Sequence, residues 1–449
     1  MHRRPALRAA IAGVLALFVS AWLIVPARGQ APAFVHFVFT SDAHYGLTRP
    51  TFRGLVGVDA REVNRALVES VNRLAEISLP DDGGLGAATR VGGLEFLAEG
   101  GDIANRMEFD SNGRQIQSAA VSIAQFKADY TDGLTAKDNA GVRTPVFAVP
   151  GNHDATNAVG FYRPLTPPID PTAMIELFNR MTAPRAPRTP ETFDYRRDQV
   201  RYTRDIGGIH FVFISVWPDS QARAWMDEEL RRVPATTPVV VVTHDEPNVE
   251  AKRFVNPKAP HDVNATDRFE NLLADEFRDW EVTAESVAEQ RHLEEFLRRH
   301  PNVTAYFHGN SNWNQFYDYV GPDHTAALHV FRADSPMKGR FSNADETKLS
   351  FQLATFDPLS RRLTVREVLW NAYRTAGPPV WGASTTVSLA PRPRSYWPED
   401  RRWAHGTQGT RSTTDCPEVS VPAARVADLV PNFAEPNPRI YQPTREMNQ

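Results

Sequence analysis

Several short runs of Val, Ile and Phe stop at polar clusters, and this recurrence most constrains how the chain folds. The clearest run, residues 146–149, is closed by Pro150-Gly151 and followed at once by Asn152-His153-Asp154. An apolar run of that length bounded by Pro-Gly reads as a buried strand. Residues 34–40 run in the same way into Ser41-Asp42-Ala43-His44, and residues 94–99 into Gly100-Gly101-Asp102. Residues 238–243 deliver His244-Asp245-Glu246, and residues 303–307 deliver His308-Gly309-Asn310-Ser311-Asn312. Buried strands alternating with helical segments indicate an α/β fold, in which ligands gather at strand ends.

Helical spacing fills the intervals. Asp59-Ala60-Arg61-Glu62 has the form of a capping box, and Val63, Ala66, Leu67, Val71, Leu74 and Ala75 continue it as an amphipathic helix over 59–78. Ile116, Ala119, Ala120, Ile123, Phe126 and Tyr130 mark a second helix, and further helices are expected at 173–181, 222–232 and from Val287 to His300. Strands are expected at 209–215, 327–332, 349–356 and 362–370, the last two joined as a hairpin by Asp357-Pro358-Leu359-Ser360. The body then spans 34–372, with polar insertions at about 155–200 and 247–284. Residues 378–449 read as a Pro-rich C-terminal extension.

At 449 residues and 41% hydrophobic, the chain can bury a large core, and its net charge of −4 leaves no basic footprint for duplex nucleic acid. His2-Arg3-Arg4, an apolar stretch over 9–25 and small residues to Gly29 read as a signal peptide over 1–29. The alternative is an uncleaved membrane anchor, although the stretch is at the short end of the ~17–25 residues a spanning helix needs. Cys416 is the only cysteine, so no internal disulfide is possible. Together these indicate an exported, periplasmic or secreted protein that meets a membrane only if the N-terminal segment stays uncleaved.

Taken singly, each polar cluster reads as a turn, because Asn, Asp and His are common there. If residues 42–44 stay extended, Asp42 and His44 point to one side and can grip one ion. In order along the chain, the clusters resemble the blocks of the calcineurin-like metallophosphoesterase family: D-x-H, G-D-x-x-[DN], G-N-H-[DE], a lone His after a hydrophobic strand, and G-H-x-H. The first four blocks match across residues 34–370. The resemblance implies a four-layer αββα sandwich of two mixed sheets flanked by helices.

It also implies two divalent metal ions, whether Mn, Fe, Zn or Mg. Asp42 and His44 would hold the first, Asp102 would bridge, and Asn152 and His244 would hold the second. His153 would stand by the leaving oxygen, oriented by Asp154, and Arg106 would contact a phosphoryl oxygen. The fifth block departs from the pattern, with Asn310 and Asn312 where the family has two His. Three readings stand: both amides ligate through oxygen, His308 supplies a replacement nitrogen, or one metal position is degraded. The resemblance implies hydrolysis of small phosphoric mono- or diesters by a hydroxide held between two ions. The rival is a non-catalytic relative that binds a phosphorylated ligand or envelope partner. Trp313, Phe316, Tyr317 and Tyr319 read as core packing, or alternatively as a platform for a base or sugar.

Overall fold

Alternate side chains of the strand Val35–Thr40 serve two apolar layers, and the architecture follows from that division. In the computed structural model, which describes residues 34–105, 117–159, 169–255, 271–276 and 286–391, this strand lies inside a six-stranded mixed sheet. It pairs parallel with Phe96–Glu99 and antiparallel with Ser350–Asp357. Val146–Ala148 closes one edge, while Arg362–Leu369 and Val380–Ser388 extend the other. A second six-stranded mixed sheet runs in the order Gln315–Tyr319, Leu328–Arg332, Val303–His308, Val239–Val242, Ile209–Ile214, Arg201–Ile206.

Phenylalanines join the two sheets. Phe37 stacks on Phe96 with centroids 4.7 Å apart and meets Phe211 and Phe307 edge-on at 5.3 and 5.5 Å. Phe307 in turn stacks on Phe331 at 4.7 Å. Burying each such ring contributes roughly 1.5–3 kcal/mol. Helix Ala60–Arg73, capped by Asp59 accepting from the Arg61 amide, buries Val63, Leu67 and Val71 in the same core. Helices Ser220–Leu230 and Val287–Arg299 pack Met226, Leu293 and Phe296 with Val212, Val239 and Val241 of the second sheet. The four-layer αββα sandwich expected from the sequence is the fold that forms.

Strand direction places the site. Val35–Thr40, Phe96–Glu99 and Val146–Ala148 are mutually parallel, as are Ile209–Ile214, Val239–Val242 and Val303–His308. Their carboxyl ends therefore deliver the polar clusters to one region.

The sheet continues past residue 372, where the sequence reading ended the body. Val380–Ser388 pairs with Arg362–Leu369, so the start of the expected extension is an edge strand. Most of its side chains are half-buried or exposed, which erased the apolar pattern. Strands Arg201–Ile206 and Gln315–Tyr319 and the hairpin Thr48–Phe52/Leu55–Asp59 are likewise edge or surface elements that hydrophobic runs do not mark. The 155–200 segment contributes helix Thr172–Thr182, whose Ala173, Met174, Leu177 and Met181 are buried. The signal segment 1–29, Arg106, residues 160–168, 256–270 and 277–285, and the extension from 392, with Cys416, lie outside the described residues. No helix among the described residues is long and apolar enough to cross a membrane.

Candidate metal centre

Five polar residues at these strand ends adopt left-handed backbone: Asp42 (φ 61°), His44 (φ 42°), Asp102 (φ 58°), Asn310 (φ 61°) and Asn312 (φ 64°). For residues with a Cβ this conformation carries strain and persists where the surroundings over-determine it, commonly at functional sites. The turns also correct the expectation for Asp42 and His44. They converge because the chain winds left-handed through both positions, and not by the alternation of an extended strand. Close approach requires glycine at 309, where a Cβ would collide with Ser41 Oγ and Asp42 Oδ2.

Around Asp42, His44 and Asp102 the ligating atoms stand ready for an ion. His44 Nε2 lies 3.5 Å from Asp42 Oδ1 and 3.6 Å from Asp102 Oδ2. Ligand atoms bonded to one tetrahedral ion at ~2.1 Å stand about 3.4 Å apart. Asp42 Oδ1 and His44 Nε2 are buried without a hydrogen-bond partner, and so is Asn312 Oδ1. The other carboxylate oxygens are used for positioning. Asp42 Oδ2 accepts from Ser41 Oγ at 2.7 Å and from the Asn310 amide at 3.0 Å, and Asp102 Oδ1 accepts from the His153 amide at 2.7 Å. Burial opposes the Asp102 charge, yet the neighbouring imidazoles of His244, His153 and His44 hold its carboxyl well below the usual range. A buried orphan oxygen on Asp42 and nitrogen on His44, at ligand spacing beside Asp102, fit a divalent ion.

The other expected ligands are arranged differently. His244 Nδ1 donates to Gly100 O at 2.8 Å, and its Nε2 lies 3.1 Å from Asn152 Oδ1 and 3.4 Å from Asp102 Oδ2. Burial works against its charge, but Asp102 outweighs that and pushes its pKa up to about 10. Arg253 Nη2 reaches into the same group, 3.3 Å from Asn152 Oδ1 and 3.0 Å from Asn310 Oδ1. The guanidinium is buried and anchored by Asp245 Oδ2 at 2.8 Å. Glu250 Oε2 stands 3.6 Å away. Asn310 Nδ2 donates to Glu246 at 3.1 Å, and Ser311 Oγ donates to the same carboxylate at 2.7 Å. The amide oxygens expected to hold a second ion are therefore acceptors of a guanidinium. His244 still groups with Asp42 and Asp102 as side chains that could hold an ion, so the engaged amides are the part of this set that does not fit a second metal.

His153 and Asp154 open the helix Asn152–Val159. His153 Nε2 lies 3.8 Å from Asp102 Oδ2 and accepts from Lys338 Nζ at 3.2 Å, while its ring meets His44 edge-on at 4.9 Å. Burial first, then the Lys338 charge, holds its pKa well below the usual histidine range. Asp154 does not orient it. The Asp154 carboxylate accepts from the amides of Ile103, Ala104 and Gly151 at 2.8–3.0 Å, tying the Asp102 loop to the Asn152 loop. Nor does His308 replace a missing ligand. Its ring nitrogens go to Gly309 O and to the Tyr317 hydroxyl, each at 3.0 Å, because the chain turns at Gly309 and does not stay extended. Phe316 packs on Phe331 at 5.9 Å, so this aromatic strand fills core space, and Trp313 stacks under Arg332.

Sequence reasoning missed Lys338, Arg253 and Glu246. Lys338 sits on a loop held by Ser335, whose Oγ accepts from the Lys338 amide at 2.9 Å and donates to Asp42 O at 2.9 Å. Glu246 directly follows His244-Asp245 and could have been found from that position. No strand-end cluster or motif marks Arg253, and Lys338 lies six residues past the strand Leu328–Arg332, beyond the polar cluster that directly follows a strand end.

No protein-family model and no curated protein matches the sequence. Among solved structures, the chain is similar to a dimetal phosphatase from Danio rerio, at 10% identity and a TM-score of 0.44, covering 79% of this chain and 99% of that one. A phosphopantetheinyl hydrolase from Mycobacterium tuberculosis gives 11% identity and a TM-score of 0.30, covering 68% and 91%. The calcineurin-like phosphoesterase YfkN from Bacillus subtilis gives 11% and 0.26, covering 80% and 92%. Similarities this distant add nothing to the reading of the two sheets and the strand-end clusters. On those, the chain forms two packed mixed sheets flanked by helices with a candidate Asp/His metal site at the strand ends, the arrangement that the motif resemblance implied.

Proposed function

We propose that this protein is an exported, metal-dependent hydrolase of small phosphoric mono- or diesters. The observation that carries the reading is the set of buried, partnerless ligand atoms on Asp42 and His44, spaced around Asp102 as one ion requires. A divalent ion bound there supplies Lewis-acid charge to a phosphoryl oxygen and acidifies water. The chain's own groups complete an anion-binding surface. Lys338 holds a positive charge beside His153, and the always-protonated Arg253 adds a second from below. His153, accepting from the Lys338 ammonium at Nε2, holds that ammonium beside the ring that lies 3.8 Å from Asp102.

A second reading is supported by Asn310 being engaged with Arg253 and Glu246: a site that binds a phosphorylated ligand without turning it over. One experiment separates the two. The mature protein is stripped with a chelator, reloaded with Mn, Fe, Zn or Mg, and assayed on p-nitrophenyl phosphate and bis-p-nitrophenyl phosphate. Ion-dependent hydrolysis supports the enzyme, and the preferred ester distinguishes mono- from diesterase. Ion-dependent binding of phosphate with no turnover under any ion supports the binder instead.

A further inference from the structure

We infer that the Arg253 guanidinium takes the place of the second metal ion, so that the centre holds one divalent ion and one built-in cation. The inference rests on the metal-centre reading for the first ion and goes beyond it for the second. Two groups would have to release a protein cation to receive a second ion: Asn152 Oδ1 and Asn310 Oδ1. Arg253 Nη2 lies 3.3 and 3.0 Å from the two amide oxygens, and His244 Nε2 lies 3.1 Å from the first of them. An oxygen that accepts from a guanidinium directs its lone pair at a cation already, and a divalent ion there would face a fixed positive charge in a buried pocket.

The placement of Arg253 is built into the surrounding fold. Its side chain leaves a short helical turn, Ala251–Arg253, directly before the strand Phe254–Val255. Trp217 meets Phe254 edge-on at 5.8 Å, which fixes the base of that strand. Asp245, which follows His244 immediately, accepts from Arg253 Nε at 2.8 Å and is fully buried. Phe254 is fully buried as well. Guanidinium geometry suits the position, because one Nη can serve two amide oxygens while Nε serves a carboxylate. The substitution of amides for imidazoles at 310 and 312 acquires a reason at the first position. Asn310 offers Arg253 an acceptor and Glu246 a donor on one side chain.

The test counts ions without using activity. Apo protein is titrated with Mn(II), and the loaded protein is examined by elemental analysis and electron paramagnetic resonance. One Mn per chain with the six-line spectrum of an isolated ion is the expected result. Two ions per chain with an exchange-coupled spectrum would overturn the inference while leaving the proposed function standing. No ion at all would overturn both. A triple variant, Arg253→Met with Asp245→Asn and Asn310→His, removes the buried charge pair together and returns an imidazole. Provided it melts cooperatively, it should rise from one Mn to two per chain; a count still at one would show that the guanidinium is not what excludes the second ion.

Discussion

Two groups of ligands share Asp102 and differ in what their polar atoms do. On the Asp42–His44 side, Asp42 Oδ1 and both ring nitrogens of His44 are buried without a hydrogen-bond partner. On the Asn152–His244–Asn310 side, every one of the corresponding atoms is engaged, by Arg253 or by a neighbouring ligand. A buried polar group left unsatisfied costs about 1–3 kcal/mol, so a fold keeps several together only where something completes them. The first side is consistent with an ion as its missing member. The second has satisfied its two amide oxygens with a protein cation. Sharing a bridging carboxylate therefore does not make two sites alike; the nearest buried charge decides which one stays open.

The contrast can be broken or sharpened by experiment, beginning with the largest effect. Asp102→Asn removes the carboxylate within 3.4–3.8 Å of His44, His153 and His244. Mn affinity by calorimetry should fall by more than the ~10–100-fold lost when an outer partner of a ligand is removed. Unchanged affinity would place the ion elsewhere.

Phe307→Ala should cost about 3–5 kcal/mol in urea unfolding, by cavity formation between the sheets. The ion count should stay the same, because the ring packs on Phe37, Phe39 and Phe331 between the sheets. A changed count would mean that the sheet interface sets the ligand geometry.

Asp245→Asn leaves Arg253 with Glu250 as its nearer acid, and breaking a buried pair from one side costs about 3 kcal/mol. Urea unfolding checks the cost. A loss under 1 kcal/mol would show that the guanidinium is not held there.

A smaller effect comes from His36, remote from both halves, where burial and then the Arg366 charge bring its pKa down to about 4. The folded state prefers neutral His36, so this contribution is complete above pH 6.5 and is lost as pH falls toward 4. Between pH 7 and 5 it removes about 2 kcal/mol of stability. His36→Gln should flatten that part of the urea-unfolding profile without altering Mn binding at neutral pH.

The smallest change is expected from Asn310→His alone. With Arg253 still in place, elemental analysis should find the same number of ions. Asn312→His, at a side-chain oxygen that is buried without a hydrogen-bond partner, should tighten Zn binding in a competition titration, because imidazole suits Zn better than an amide oxygen does. Equal responses at the two positions would erase the difference between the halves.

Much of the fold was legible because buried strands announce themselves. Residues 239–242 are four valines with both faces covered, and pure apolar runs of that kind have few other uses. Edge strands such as Val380–Ser388 escaped, since one side meets solvent and tolerates Gly, Ala and Ser. Strand-end polar residues were legible for a related reason. Asp42, His44, Asp102, Asn152 and His244 each follow a readable strand, and parallel pairing then brings them together. Asp154 was assigned a role from its position beside His153, but its carboxylate turns back to three amides of its own and the Asp102 loop.

The two-sheet arrangement was implied by the family resemblance; the sequence pattern by itself determined the α/β class and the list of side chains that could hold a metal. Both depend on local pattern: the period of apolar residues and the cluster that stops each run. Only the tertiary structure decided which of those side chains are left open. Arg253 stands 101 residues from Asn152 and 57 from Asn310, and Lys338 stands 185 from His153. Coulomb interaction depends on separation in space and on burial, and chain distance is silent about both. A cation that closes one half of a metal centre leaves no trace in the sequence around the ligands it meets.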